Sequence, residues 1–421
     1  MLSDPAKRGC TVKRVLLRAP KDPFEAVPPV QALRRDTIAG NVGNLVAGAS
    51  SYKMLSTRDS TVEVGQFRVR ADDADKINER YDTFVLPMGN ALRPGAEQNL
   101  RALTRLIERL RIPVVVLGIG AKCELDGGFD ALQPIDETVS AFVRAVLAKG
   151  PSIGVRGEYT HAYLAHLGFD ETEVIGCPSM FLYGRGHRVA NAPEQLGPDA
   201  RIAFSYSPDL AAIGPITAHN ADRYPGLIAV PQGSRELRLM LWGDLPDDRG
   251  RQSSIPRYAT HPLYREDRMR FFVDPWPWID FLRQNDFSFG SRLYGSIVSL
   301  LAGTPTLLLA HDTRTLEVAR HLGIPHRMIN EVDPNVDAAE LCALADPSEF
   351  NAGYASRLET LAGFLDKHEL PHAFRPGRTT DWFDQKLERT SFPPPVRTLQ
   401  AEQPRRRGRL RRAISRKRRS H

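Results

Sequence analysis

Long apolar runs are missing from this 421-residue sequence. Nowhere do about 18 apolar residues stand together, so no membrane-spanning helix is expected. The opening Met1-Leu-Ser-Asp-Pro-Ala-Lys-Arg leads into no apolar leader core, which argues against secretion. Cysteine is scarce: the four stand at 10, 123, 177 and 342, with no Cys-x-x-Cys and no His at ligand spacing. Reduced, unpaired thiols in a cytoplasmic protein are expected. No Walker A sequence occurs, and Gly118-x-Gly120 lacks the third glycine of a dinucleotide fingerprint, so a nucleotide cofactor is not expected. No carboxylate cluster has metal-ligand spacing, so no metal is expected either.

What is present is an ordinary globular composition, 42% hydrophobic and 25% charged, which excludes wholesale disorder. The length suggests two or three domains. The net charge of +7 is concentrated at one end: residues 404–421 hold ten Arg or Lys and no acid, and taking those ten from +7 leaves −3 for residues 1–403. The body is mildly acidic, so no specific nucleic-acid partner is expected of it.

Short apolar runs alternate with helical patterns. Strands are expected at Lys13–Arg18, Thr83–Pro87, Pro113–Gly118, Ser152–Arg156 and Glu173–Ile175, continuously apolar as suits parallel strands covered on both faces. In Glu97–Leu110 the residues Leu100, Leu103, Leu106, Ile107 and Leu110 form one stripe at helical period, and Tyr159–Leu167 repeats the pattern. The segment 184–199 reads as a linker. A second series follows, with strands at Arg201–Tyr206, Leu227–Val230, Arg270–Val273, Phe287–Phe289 and Thr306–Ala310. Helices are expected at Trp276–Arg283, Leu293–Leu301 and Thr315–Leu322. The expectation is an α/β protein of two Rossmann-like domains (1–190 and 200–345) with a cleft between them. C-terminal helices (346–391) and a disordered basic tail (392–421) complete it.

Ligands of open α/β sheets bind outside the carboxyl ends of the strands. Arg156 and Arg292 occupy such corners in different halves, each just before a helix. The planar guanidinium fork suits phosphate and carboxylate, and a helix N-terminus adds free N–H groups. Two such corners facing one cleft make a site for a small di-anion; alternatively, each arginine pairs with a local acid and braces a loop. Asn41, Asn44, Asn90, Gly118, Gly120 and Ser291 complete the candidate substrate-binding set. Ser291 is read as an N-cap, and the 40–44 turn (GNVGN) as able to admit phosphate or sugar hydroxyls. Trp276 and Trp278 are either sugar-stacking or core residues.

The segment Asp286–Gly295 (DFSFGSRLYG), followed by Leu301–Arg314 (LAGTPTLLLAHDTR), resembles the signature region of the polysaccharide pyruvyl transferase family. Further blocks agree in order: GNVGN at 40–44, Asp82–Asn90, 112–121 (IPVVVLGIGA) and 154–160 (GVRGEYT) with Leu164 and Gly168. The resemblance spans roughly residues 13–330. It implies a GT-B-like arrangement. It also implies transfer of the enolpyruvyl unit of phosphoenolpyruvate to a sugar of a cell-surface polysaccharide or its precursor, as a ketal. Phosphoenolpyruvate is then the donor substrate, with no cofactor, and the acceptor a sugar or lipid-linked glycan. The family usually reads Arg-x-His-Gly where this chain has Arg292-Leu293-Tyr294-Gly295. Tyrosine has an unperturbed pKa of about 10 against about 6.5 for histidine, so the proton donor is left between Tyr294 and His311, or the chain is inactive. Arg292, Tyr294 and His311 form the candidate catalytic set. A GT-B glycosyltransferase and a non-catalytic relative binding glycan or phosphoenolpyruvate are the competing classes.

The Arg-rich tail places Leu410 and Ile414 four apart. It could lie on the inner, anionic face of a membrane, at about 1 kcal/mol per basic residue near the surface. It could also contact nucleic acid or remain a solvated end.

Overall fold

A computed structural model describes residues 12–399 apart from 69 and 126. In the first half the main elements are β1 (Lys13–Leu17), α1 (Gly43–Leu55), β2 (Ser60–Val64), β3 (Thr83–Pro87), α2 (Glu97–Arg109), β4 (Val114–Leu117) and α3 (Glu158–His166). The strands are parallel in the order β2-β1-β3-β4. Val15 lies opposite Val62 on one side and Thr83 on the other. Ile153–Val155 runs on beside β4 through an Ile119–Val155 bridge and pairs with Thr172–Val174.

The second half contains β5 (Ile202–Ser205), β6 (Leu227–Ala229), α4 (Ser234–Trp242), β7 (Phe287–Gly290), α5 (Leu293–Ala302), β8 (Thr306–Ala310), α6 (Thr313–Leu322) and β9 (His326–Met328). Its sheet is parallel throughout, in the order β6-β5-β7-β8-β9. This is the α/β, GT-B-like pair of Rossmann-like units, with a cleft at the strand ends.

Side chains alternate across a strand, and the core shows it. Leu16, Phe84, Leu86, Val114 and Val116 face a cluster with Leu100, Leu103, Leu106 and Ile107 of α2. Val15, Leu17, Val85, Val115 and Leu117 face the other way, into a cluster continuous with the second sheet. Both faces of the first sheet's inner strands are covered, which is why β3 and β4 read as unbroken apolar runs. The helix starts are fixed locally: the Asp312 carboxylate accepts the Thr315 N–H at 2.7 Å and caps α6.

Two further helices, α7 (Ser348–Lys367) and α8 (Asp381–Glu388), bind the halves together. Asn351 of α7 brackets the backbone of Val189, and the Tyr354 hydroxyl donates to Gly184 O at 2.8 Å, fixing the connecting segment. Phe383 of α8 lies 5.9 Å from the Tyr52 ring and 6.0 Å from that of Trp276. A buried Lys21–Asp274 ion pair adds a polar tie between the halves.

Some expectations fail. Arg270–Val273 forms no strand; Met269 bridges Ala229 and Phe271 bridges Val396 instead. The latter bridge also corrects the expectation of disorder from 392: Val396 is paired, and Arg397 and Thr398 bond the Asp267 carboxylate. The basic tail lies outside the described residues. Trp276 and Trp278 are 8% and 1% exposed, with Trp278 stacked on Phe272, so both are core residues. No helix among the described residues is long and apolar enough to cross a membrane.

Candidate active site

The cleft between the sheets encloses about 630 Å³. Its walls bring together seven of the expected residues: Asn41, Asn44, Asn90, Arg156, Arg292, Tyr294 and His311. Six basic side chains line it (Arg18, Arg93, Lys122, Arg156, Arg292 and Arg314), against two carboxylates, Glu124 and Asp209. Low-dielectric walls of one sign focus the field on an anion.

Arg156 follows the strand Ile153–Val155 and is 3% exposed. Its Nε donates to Gly118 O at 2.9 Å, and its Nη2 reaches the Tyr294 hydroxyl at 3.4 Å. Burial works against its charge, but Cys177, Tyr294 and Glu317 more than offset it, so its pKa lies above the ordinary value. Three glycines make its berth. A Cβ on Gly89 would stand 2.6 Å from Nη2, one on Gly120 3.2 Å from Cδ, and Gly118 takes a φ of +65° to aim its carbonyl. Gly118 and Gly120 therefore sit behind the arginine and are not among the cleft-lining residues; their part is to position it.

Arg292 is the N-cap residue of α5 and is only half-buried. Its Nε donates to Tyr206 O at 3.1 Å. Burial lowers its pKa, Glu236 pulls the other way, and Arg314 adds repulsion. Ser291 neither caps α5 nor faces the cleft. It is fully buried, and its hydroxyl accepts the Ser207 N–H at 2.9 Å, tying β7 to the loop after β5. The close approach at Gly290 is likewise to β5, since a Cβ there would meet Ser205 O.

Tyr294 crosses the cleft floor. Its hydroxyl lies 3.2 Å from Ser179 Oγ besides its contact with Arg156. Burial, with Cys177 adding, pushes its pKa up to about 12, Arg156 notwithstanding. Gly43 at the start of α1 admits the ring: a Cβ there would be 2.4 Å from it. His311 follows β8, and its Nδ1 is buried without a hydrogen-bond partner. Burial lowers its pKa, Asp312 opposes this, and Arg314 and Lys122 reinforce it. The imidazole is therefore biased toward its neutral form. Asn41 accepts the Gly43 N–H at 2.8 Å and Asn44 donates to Ala39 O at 3.0 Å, so both shape the turn as well as lining the cleft.

Sequence reasoning missed several lining residues. Arg18, stacked on Phe67 at 4.1 Å, follows β1, and Arg314 follows β8. Both obey the strand-end rule that found Arg156 and Arg292. Arg93 and Gln232 come from loops and had no such signal. Arg93 Nε, Arg314 Nε and Gln232 Nε2 join His311 Nδ1 as buried polar atoms with no partner. Buried polar groups ordinarily have partners, so such a cluster is open to a polar ligand.

A profile of the polysaccharide pyruvyl transferase family matches residues 41–313, more than half of the chain. The chain belongs to that family. In this pyruvyl transferase family member the match takes in Arg156, Arg292, Tyr294 and His311. No curated protein matches in a sequence search. Among solved structures, MnaA of S. aureus in a UDP co-structure is similar at 12% identity over 84% of this chain and 97% of that one, with a TM-score of 0.43. Anabaena HepE in complex with UDP and glucose also shares 12%, covering 84% and 99%, with a TM-score of 0.43. A functionally uncharacterised protein of Klebsiella pneumoniae shares 11%, covering 77% and 92%, with a TM-score of 0.41.

Proposed function

We propose that the protein transfers the pyruvyl unit of phosphoenolpyruvate to a sugar of a polysaccharide or its precursor, forming a cyclic ketal and releasing phosphate. The observation that carries this reading is the cleft's two-sided cationic wall, with Arg156 and Arg292 at facing strand ends and Tyr294, two residues from Arg292, in contact with Arg156. Phosphoenolpyruvate presents a phosphate and a carboxylate on a three-carbon frame, and two guanidinium forks complement that pair.

In the proposed reaction Arg156 and Arg292 hold the two anionic groups. His311 delivers a proton to the methylene carbon. Positive charge develops on the central carbon and a sugar hydroxyl attacks it, losing its proton. Phosphate departs with the C–O bond electrons, and a second hydroxyl closes the ketal. His311, which burial biases toward its neutral form, becomes a donor when the substrate's negative charge stabilises its imidazolium form. Tyr294 is assigned a positioning role: its hydroxyl is already engaged, and a pKa of about 12 makes it a weak acid. The protein supplies orientation and a fixed field.

The test is incubation with phosphoenolpyruvate carrying a ¹³C label at the central carbon and a panel of lipid-linked and free glycans. The expected result is a ketal carbon signal with matching phosphate release, lost in Arg292→Ala. Binding without consumption across acceptors would favour a non-catalytic relative, and no binding would overturn the reading.

A further inference from the structure

Pyruvyl transfer as proposed above uses Arg156 and Arg292 on the donor, yet a cleft of about 630 Å³ holds far more than a three-carbon donor. Among its other cations, Lys122 and Arg314 both pair with Asp312, and Arg93 bonds Pro94 O. Arg18 differs from all three. It follows β1, is half-buried and lines the cleft. Among the described residues its guanidinium has neither a hydrogen bond nor a carboxylate partner, and its one recorded contact is the face of the Phe67 ring, 4.1 Å away.

Phe67 is delivered by a tight passage after β2. The Gly65 N–H donates to Leu17 O at 2.9 Å, and Gln66 takes a left-handed φ of 54°, a conformation that a residue with a side chain adopts only where its surroundings impose it. Stacking fixes the plane of the Arg18 fork and uses none of its N–H groups. Burial pulls the Arg18 pKa down to about 10 and no acid opposes this, yet the group stays charged at neutral pH. A desolvated cation with free donors and no counter-charge is complementary to an anion. That anion is not the donor's. In the first sheet β1, β3, β4 and Ile153–Val155 follow one another, so at about 4.8 Å per step the stations of Arg18 and Arg156 are about 14 Å apart. Phe67 follows β2, on the side of β1 remote from Arg156, and draws the Arg18 fork that way.

We propose that Arg18, oriented by Phe67, binds an anionic group, a phosphate or a carboxylate, carried by the acceptor sugar. This rests on the pyruvyl-transfer reading of the cleft and names the acceptor class for it: a sugar phosphate or a sugar acid rather than a neutral glycan. Arg93, from the same half, adds a buried Nε with no partner to the same cleft. The acceptor's own charge then holds it at one end of the sheet edge while the donor is held at the other, and both occupy the cleft together.

The test is calorimetric titration of glucose 1-phosphate, methyl glucuronide and methyl glucoside into the full chain saturated with 2-phospholactate. This donor analogue carries the phosphate and the carboxylate but lacks the double bond that is protonated. One or both anionic sugars should bind about tenfold or more tighter than the neutral one, and which of them does so separates phosphate from carboxylate. Arg18→Gln should erase that advantage, and Arg18→Lys, which keeps the charge without the fork, should retain part of it. The affinity for 2-phospholactate should stay within about twofold in Arg18→Gln, since a charge that far away is screened. The melting point of Arg18→Gln should not fall, because no partner is stranded; an arginine that merely braced a loop would lower it. Equal binding of the three sugars, an anionic advantage that survives Arg18→Gln, or displacement of glucose 1-phosphate by 2-phospholactate would overturn the subsite. A chain that failed to bind 2-phospholactate but bound glucose 1-phosphate through Arg18 would instead sink the donor reading and leave the anion subsite standing.

Discussion

Arg156 and Arg292 hold matching stations at strand ends, yet they are built differently. Arg156 is sunk among Gly89, Gly118 and Gly120, bonds a carbonyl and the Tyr294 hydroxyl, and faces that tyrosine's ring at 6.0 Å. Arg292 is half-buried and fastened through Nε alone. One arginine is locked into the junction of the two halves, while the other keeps its terminal nitrogens for a ligand. Fixing one anchor rigidly lowers the ordering cost of binding, and leaving the other adjustable lets the cleft admit and release its substrate.

This contrast is open to mutation. Arg156→Ala and Arg292→Ala should each lower turnover about 10³-fold, since each removes a charge-stabilising contact. Arg156→Ala should also destabilise the fold more, by about 1–3 kcal/mol, because the Gly118 carbonyl it strands lies in a buried contact, whereas the Tyr206 carbonyl released by Arg292→Ala lies in a part-buried one. Melting curves that move equally in both variants would erase the distinction.

His311→Gln should cost about 10²-fold or more in kcat. In the wild type kcat should fall as pH rises through the His311 pKa in the complex, because a proton donor works only below it; the variant should lose that limb. Tyr294→Phe should keep the limb and lose less, about tenfold, as misplacement of Arg156 would cause. A Tyr294→Phe variant that lost the limb would exchange the two roles.

Gly89→Ala and Gly43→Ala test the berths. A Cβ would crowd the Arg156 guanidinium in one and the Tyr294 ring in the other, at 2.6 Å and 2.4 Å. Turnover should drop roughly tenfold to a hundredfold in each.

The smallest effect concerns Glu317 of α6. It is buried and reaches across the halves to the N-terminus of α3, accepting the Thr160 N–H at 2.9 Å and the Thr160 hydroxyl at 2.8 Å. Burial raises its pKa to about 7, against the pull of these bonds and of Arg156. An acid whose folded pKa exceeds its unfolded one disfavours the fold once ionised. Relative to Glu317→Gln, the wild type should lose roughly 1–3 kcal/mol as pH climbs from about 4.5 through about 7, levelling off above that. A gap independent of pH would contradict this.

The readable parts of the sequence were those where burial leaves a pattern. Thr83–Pro87 and Thr306–Ala310 are strands at the very bounds their apolar runs suggested, being covered on both faces. Ser60–Val64 and His326–Met328 were illegible, because edge strands with half-exposed, polar side chains lack such a run. Arg270–Val273 misled for the opposite reason: Phe271, Phe272 and Val273 are buried and apolar, but the segment's pairing is confined to isolated bridges. In the site, strand-end arginines could be found by position. The work of Gly43, Gly89 and Glu317 could not, since it depends on which side chain the other half of the chain delivers.

The most direct test is calorimetric titration of phosphoenolpyruvate, and separately of UDP-glucose, into the wild type, Arg156→Ala and Arg292→Ala. One equivalent of phosphoenolpyruvate should bind the wild type, each substitution should weaken it about a hundredfold or more, and UDP-glucose should give no Arg292-dependent heat. Undiminished phosphoenolpyruvate binding in both variants, or Arg292-dependent binding of UDP-glucose alone, would contradict a cleft built around a small di-anion.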